Sequence, residues 1–148
     1  MSPNGSRPEV TPEADAFLRE PRVAVLATIG ADGAPRTVPV WFLWDGSAPI
    51  LFTARTTRKW RNIQANPRVS LCIDHRPEPR SPGAEAYAAV MIDGHVEEAT
   101  DRSLYDDVLA MSLAYWGEER GRPFAEAYHD RPDVVLFRIV PDRIVHQA

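Results

Sequence analysis

The 148-residue sequence lacks the features of membrane, secreted and metal-cluster proteins. Cys72 is its only cysteine, which excludes an intramolecular disulfide and a cysteine-based metal cluster. No apolar run reaches the roughly 18 residues of a membrane span. Residues 1–7 contain no hydrophobic segment, so we expect no secretory signal and a cytoplasmic location.

Lysine is nearly absent, and acidic residues are absent from one long stretch. The chain has 17 basic and 21 acidic residues, and its net charge of −4 is the wrong sign for a general nucleic-acid binder. Lys59 is the only lysine, and it lies between Gly46 and Ile73, where no acid occurs. The bases of that stretch are Arg55, Arg58, Lys59, Arg61 and Arg68. Positive charge is therefore concentrated in one segment of an acidic protein.

The residue pattern predicts a mainly β protein, with a disordered tail at 1–10 and a single domain at 11–148. Short runs rich in β-branched and aromatic residues predict strands at 23–29, 36–44, 50–54, 69–74, 86–98, 134–140 and 143–146. Helices are expected after Thr11, over 56–63 and after Thr100, with a loop at 75–85 and an irregular segment at 117–132 that could contain one turn of helix near Phe124. Six or seven strands joined mostly by hairpins favour an antiparallel barrel. No glycine-rich dinucleotide or Walker motif occurs.

The segment 52–59 is the one that indicates chemistry, because a strand there leads directly into a helix that starts with cations. The first amides of a helix lack partners and carry the positive end of its dipole. Placing Arg55, Arg58 and Lys59 there is unfavourable unless an anion binds, so we infer a phosphate site with threonine hydroxyls among its donors. The alternative is that Thr56 or Thr57 merely caps a helix with solvated basic residues.

Other candidate residues favour structural roles. The histidines have no metal-ligand spacing, and we expect no metal site; they are His75, His95, His129 and His146. Cys72 alternates with Leu71 and Ile73 in a predicted strand, and we expect an inert, buried thiol. The tryptophans at 41, 44 and 60 could flank a flat ring, but core packing is favoured. No catalytic acid, base or nucleophile is identified.

Several short pieces of the chain, in order, resemble one family. The pieces are Ala27-Thr-Ile29, Asp32-Gly-Ala-Pro35, Val38-Pro-Val-Trp-Phe42, Thr53, Thr57-Arg-Lys59 and Asn66-Pro-Arg-Val-Ser-Leu71. They resemble the pyridoxamine-phosphate-oxidase-like split β-barrels, which bind FMN or the deazaflavin coenzyme F420. The resemblance runs from about residue 17 to residue 98 and weakly through the last strands. It implies a split β-barrel of the FMN-binding type.

The resemblance also implies roles for particular residues. The strand around the flat cofactor ring would contribute Thr37, Val38, Pro39 and Val40. The segment that holds the cofactor phosphate would contribute Thr53, Arg55, Thr57, Arg58 and Lys59. The family further implies a homodimer with the cofactors at the subunit interface. A run of four apolar residues, 41–44, would likewise need cover on both faces, either from a helix and the barrel interior or from a second subunit.

Departures from the family pattern bear on the cofactor and the reaction. Thr37 and Phe42 replace an arginine and a lysine of the vitamin B6 oxidases, Ala89 replaces a flavin-contacting glutamine, and the C-terminal arginine–histidine pair is not reproduced. We therefore expect an oxidoreductase of the F420 branch, using F420 or FMN to transfer a hydride to or from a small organic substrate. The alternatives are a flavin- or haem-binding protein without turnover and a pyridoxamine 5'-phosphate oxidase-type FMN enzyme. Haem would require a histidine ligand.

Overall fold

The computed structural model of the protein describes residues 7–75 and 88–147, and in these it places three helices and a seven-stranded sheet. The helices are α1 (Pro12–Arg19), α2 (Arg58–Ala65) and α3 (Leu104–Glu126). The strands are β1 (Ala24–Ile29), β2 (Pro35–Val40), β3 (Leu43–Trp44), β4 (Pro49–Ala54), β5 (Arg68–His75), β6 (Ala88–Glu98) and β7 (Val134–Gln147).

The strands form one antiparallel sheet in the order β2-β1-β5-β6-β7-β4-β3, and it curls into a split barrel. Alternate residues point into the barrel, which explains why Leu26, Leu71 and Ile92 are fully buried. Trp60 and Ile63 of α2 pack into the same core as Phe137. The expected mainly β, split-barrel fold is confirmed. None of the described helices is both long enough and apolar enough to cross a membrane.

Two bends of the sheet require glycine. Gly33 has a φ of 80° in the β1–β2 hairpin, a conformation that suits glycine. The pairing of β6 with β7 shifts register between Asp93 and Gly94, and a Cβ at Gly94 would collide with the carbonyl oxygen of Val140. A bulge at this point accommodates the register shift between β6 and β7. As a result, β7 is one continuous strand rather than the two that we predicted.

The predicted strand 36–44 is broken in two. β2 ends at Val40 and β3 begins at Leu43. Between them, the backbone N–H of Phe42 donates to the Tyr115 hydroxyl at 3.3 Å, and that hydroxyl donates to the carbonyl oxygen of Arg22 at 2.6 Å. A side chain of α3 therefore replaces a neighbouring strand as the hydrogen-bond partner.

Helix α3 differs most from the sequence prediction. Ser103, not Thr100, caps it by accepting from the N–H of Asp106 at 3.2 Å. The helix continues through the predicted loop to Glu126, with a sharp break at Gly117 (φ 79°, ψ 178°). The Tyr105 hydroxyl lies 2.9 Å from Glu126 Oε1, whereas a straight helix would separate these positions by about 30 Å. α3 is therefore a helical hairpin with arms 104–116 and 118–126.

The prediction for Cys72 is wrong, since this thiol is exposed in the single chain. Leu71 and Ile73 face the core, and strand alternation directs Cys72 to the opposite face. Most of the predicted loop 75–85 lies outside the described residues.

Candidate functional site

Two cavities of about 370 and 290 Å³ meet at Lys59, which lines both. The smaller one, called here the basic cavity, is lined by Thr28, Arg36, Thr37, Val38, Thr57, Arg58, Lys59 and Asn62. The larger one, called the aromatic cavity, is lined by Pro39, Val40, Trp41, Phe52, Thr53, Ala54, Lys59, Trp116, Phe124, Tyr128, Arg131 and Val134. Strand β2 contributes to both cavities.

The junction between β4 and α2 is fixed by two threonines. Thr57 caps α2, with its hydroxyl accepting from the N–H of Trp60 at 3.3 Å and donating to the carbonyl oxygen of Ala54 at 3.0 Å. The Thr53 hydroxyl lies 3.0 Å from that of Thr57. These contacts hold the start of α2 against the end of β4 and set the position of the residues that follow the cap.

The basic cavity combines three cations with several hydroxyl groups. Arg36 from β2 and Arg58 and Lys59 from α2 line it, and no acidic residue occupies the first turn of α2. Arg36 is 3.4 Å from Asp32, an exposed pair that is weak in water. At the cavity's inner wall, Asn62 donates to the buried Thr28 hydroxyl at 3.1 Å. This arrangement suits an anionic group.

Lys59 is the central cation of the site. Its side chain is half-buried, and burial lowers the pKa of its ammonium group below the usual range. Within residues 7–75 and 88–147 it has no hydrogen bond or ion pair. A partly desolvated cation is costly without a counter-charge, so the position favours a bound anion.

The aromatic cavity is walled by rings from three elements. Trp41 stacks on Tyr115 with ring centroids 4.9 Å apart and meets Trp116 edge-on at 4.6 Å. Phe124 lies 5.0 Å from Trp116 and 5.3 Å from the Tyr128 ring. The helical hairpin therefore packs on the apolar run 41–44 from one side.

The structure brings eight of the nine predicted cofactor residues to the two cavities. They are Thr37, Val38, Pro39, Val40, Thr53, Thr57, Arg58 and Lys59. Arg55 is the exception: its guanidinium is 2.8 Å from Glu98 and donates to the carbonyl oxygen of Pro132 at 3.1 Å. These partners hold the Arg55 side chain in the β4–β7 region, and it lines neither cavity.

The sequence analysis did not identify several residues that the tertiary fold brings to the two cavities. Arg36 was predicted only as the first residue of a strand. Its position directly before the predicted ring-lining residues 37–40 could have indicated a cation at the cofactor site. Trp116, Phe124 and Tyr128 fell in or beside the segment predicted as irregular. Trp44 and Trp60 are buried in the core as expected, whereas Trp41 lines the aromatic cavity.

The histidines of the described residues lie elsewhere. His95 is 3.6 Å from Glu97 and 3.5 Å from Asp142. His129 contacts Glu126 at 2.9 Å and stacks on Tyr105. None of the four histidines lines the basic or the aromatic cavity.

Named relatives are oxidoreductases. The chain is 28% identical over 113 residues to the pyridoxine/pyridoxamine 5'-phosphate oxidase of Bordetella pertussis, covering 73% of this chain and 50% of that protein. It is 40% identical over 82 residues to the 5a,11a-dehydrotetracycline/5a,11a-dehydrooxytetracycline reductase of Streptomyces rimosus, covering 53% and 56%. The chain thus spans about half the length of these curated relatives.

Solved structures with the same fold have different named roles. An F420 reductase is 26% identical with a TM-score of 0.67, covering 93% of this chain and 98% of that chain. A heme-binding protein from Mycobacterium smegmatis is 25% identical with a TM-score of 0.72, covering 96% and 55%.

The family model described as pyridoxamine 5'-phosphate oxidase matches residues 10–148. This match includes β2, α2 and the helical hairpin, and so both cavities. The chain belongs to the pyridoxamine 5'-phosphate oxidase family.

Proposed function

We propose that this protein is an oxidoreductase that binds F420 or FMN and transfers a hydride to or from a small organic substrate. The observation that carries the proposal is Lys59, a half-buried cation without a partner among the described residues, at the junction of a basic and an aromatic cavity. A flavin or deazaflavin has an anionic phosphate, which would lie in the basic cavity, and a flat ring, which would lie along β2 beside the aromatic cavity. The bound cofactor would supply the hydride chemistry.

The chain's own residues fit such a cofactor. Arg36, Arg58 and Lys59 would neutralise the phosphate, with Thr37 and Thr57 as hydroxyl donors. The β2 segment from Val38 to Val40 would lie along the ring. The aromatic cavity would exclude water from the side where a substrate approaches. No catalytic acid or base is assigned.

F420 is the cofactor that we favour. Ala89 is buried and has no side-chain amide to contact a flavin, and the β2 guanidinium at the basic cavity comes from Arg36, not from position 37. F420 also carries carboxylate groups beyond its phosphate, whereas FMN ends at its phosphate. A third cavity of about 400 Å³ shares Arg36 and Arg58 with the basic cavity and extends to Arg61; Asp32 also lines it, so three cations and one carboxylate would face the carboxylates of F420 there.

The alternatives are a protein that binds a flavin or haem without turnover and a vitamin B6-type FMN oxidase. The likeness to a heme-binding protein favours haem as the competing ligand. Against it, neither cavity is lined by a histidine that could serve as an axial ligand. A haem complex would give an intense Soret band, which separates it from a flavin absorbing near 450 nm or a deazaflavin near 420 nm.

The partner that we propose is a second copy of this chain. Val25 on β1, Cys72 on β5, Met91 on β6 and Val145 on β7 are aligned by register in one row on the outer face of the sheet. Val25 is 42% exposed and Cys72 is exposed in the single chain. An apolar row on an open sheet face favours association, and the family resemblance supports a second copy of this chain as the partner.

Calorimetric titration with FMN and with F420 tests the proposal. We expect stoichiometric binding of F420 that weakens about 10- to 150-fold in Lys59→Ala, the loss of one charge-assisted contact. Lys59→Arg keeps the charge but changes its geometry, and it should retain part of the affinity. Arg61→Ala should weaken F420 and leave FMN unchanged. Equal affinities of wild type and Lys59→Ala for both compounds would overturn the cofactor site.

A further inference from the structure

We propose that the aromatic cavity is a substrate site for a flat, fused-ring molecule without charge, with the α3 hairpin as its specificity element. This inference rests on the proposed function, which assigns the cofactor phosphate to the basic cavity. It adds a chemical class of substrate and the residues that select it, Trp116 and Phe124 with Trp41 and Tyr128.

The wall of the cavity is a continuous series of rings. Trp41, Trp116 and Phe124 meet pairwise edge-on, with interplanar angles of 86°, 64° and 82°. The series continues through Tyr128 to Phe52, whose rings cross at 76° with centroids 5.4 Å apart. Rings that cross at such angles offer both faces and edges to a guest, which is the geometry that aromatic guests prefer.

This wall is more than core packing, because part of it faces open space. Trp116 is 39% exposed, and it is the one aromatic residue among the exposed large hydrophobic residues of the described chain. The cavity volume of about 370 Å³ lies in the range of small-molecule sites. A solvent-facing indole beside such a cavity loses its unfavourable hydration when an apolar guest covers it.

The charges at the cavity determine that the guest is neutral. Lys59 serves the cofactor in the proposed function. Arg131, the other cation of the lining, donates from Nε and from a terminal nitrogen to both carboxylate oxygens of Asp133, each at 2.8 Å. This pair is exposed and weak in water, but Asp133 already neutralises the guanidinium, so a carboxylate or phosphate on the substrate would gain little from Arg131. A neutral guest of this kind differs in charge from a phosphorylated vitamin B6 compound.

The test compares 2-naphthol with decahydro-2-naphthol, which has the same carbon skeleton without flat rings. Each is titrated calorimetrically into the cofactor-saturated protein. We expect 2-naphthol to bind at least about tenfold more tightly. Trp116→Leu and Phe124→Leu keep an apolar side chain, and each should weaken 2-naphthol about 2- to 12-fold without changing cofactor affinity. Phe17→Leu on α1, an aromatic residue outside the cavity lining, is the matched control and should change neither affinity.

The possible results separate this inference from the proposed function. Tight cofactor binding with equal affinity for the two naphthols, or with no effect of either leucine variant, overturns the substrate site and leaves the cofactor site standing. Displacement of the cofactor by 2-naphthol would also overturn it, since the wall would then hold the cofactor ring. If no cofactor binds, the same titrations on the purified protein still test the aromatic site through Trp116→Leu, while the proposed function fails.

Discussion

The Ser112 hydroxyl donates a hydrogen bond of 2.9 Å to the carbonyl oxygen of Gly121, and both residues are buried. This contact joins the two arms of α3 across the break at Gly117. The close approach depends on glycine, because a Cβ at position 121 would lie 2.5 Å from the carbonyl oxygen of Ser112. The position of Phe124, which the second arm contributes to the aromatic wall, therefore depends on this contact.

Gly121→Ala should lower the free energy of unfolding. Helix propensity alone would make alanine stabilising by about 1 kcal/mol. The collision involves backbone atoms of Ser112 and Leu113, which cannot rotate away, so we expect a net loss of about 1–3 kcal/mol. Urea denaturation measures it, with Ser112→Ala as the control that removes the hydrogen bond without a clash. A more stable Gly121→Ala protein would show that the arms are not closely packed.

Arg55 and Arg58 provide a matched pair of variants. Arg55 is committed to Glu98 and to the Pro132 carbonyl oxygen, whereas Arg58 lines the basic cavity. Arg55→Ala should leave cofactor affinity unchanged and cost at most about 1 kcal/mol of stability, as exposed ion pairs do. Arg58→Ala should weaken cofactor binding about 2- to 10-fold. Parallel titrations decide this, and an equal loss in the two variants would contradict the assignment of the cavity.

The strands, the α2 cap and several residues that line the two cavities could be predicted because their signals are local. Turn residues, strand alternation and the cations after Thr57 are all read from neighbouring positions. Arg55 follows the same local pattern but lines neither cavity, because it pairs with Glu98, which is distant in sequence. The second arm of α3 could not be foreseen: Pro123 and two glycines obscure its helical pattern, and its stability comes from packing on Ser112.

Val25→Arg tests the outer face of the sheet. If a second copy covers the row that includes Cys72, a guanidinium at position 25 would be buried without a partner, and the dimer should dissociate. Sedimentation equilibrium at micromolar concentration should then show a monomer. Ala110→Arg, at an exposed position of α3, is the control and should leave the mass unchanged. A wild-type protein that sediments as a monomer with cofactor bound would refute the shared interface.

The lowered pKa of Lys59 makes stability and binding depend on pH in opposite directions. Between the folded pKa and the unfolded value of 10.5, the unfolded chain holds more protons at this residue, so its contribution to the unfolding free energy rises with pH. Lys59→Met removes the charge and should abolish this rise. The rise is measured as the difference between the unfolding free energies of the two proteins, determined by denaturation at each pH.

Cofactor binding should weaken over that same alkaline range. A bound phosphate favours the charged ammonium group and raises the pKa of Lys59, so binding takes up a proton wherever the free protein has lost it. Affinity should therefore begin to fall at a lower pH than it would if Lys59 had the pKa of an ordinary lysine. Lys59→Arg stays charged and should show no such step. Titrations from pH 7 to 10 measure this, and a step of equal size in the arginine variant would assign the titration to another group.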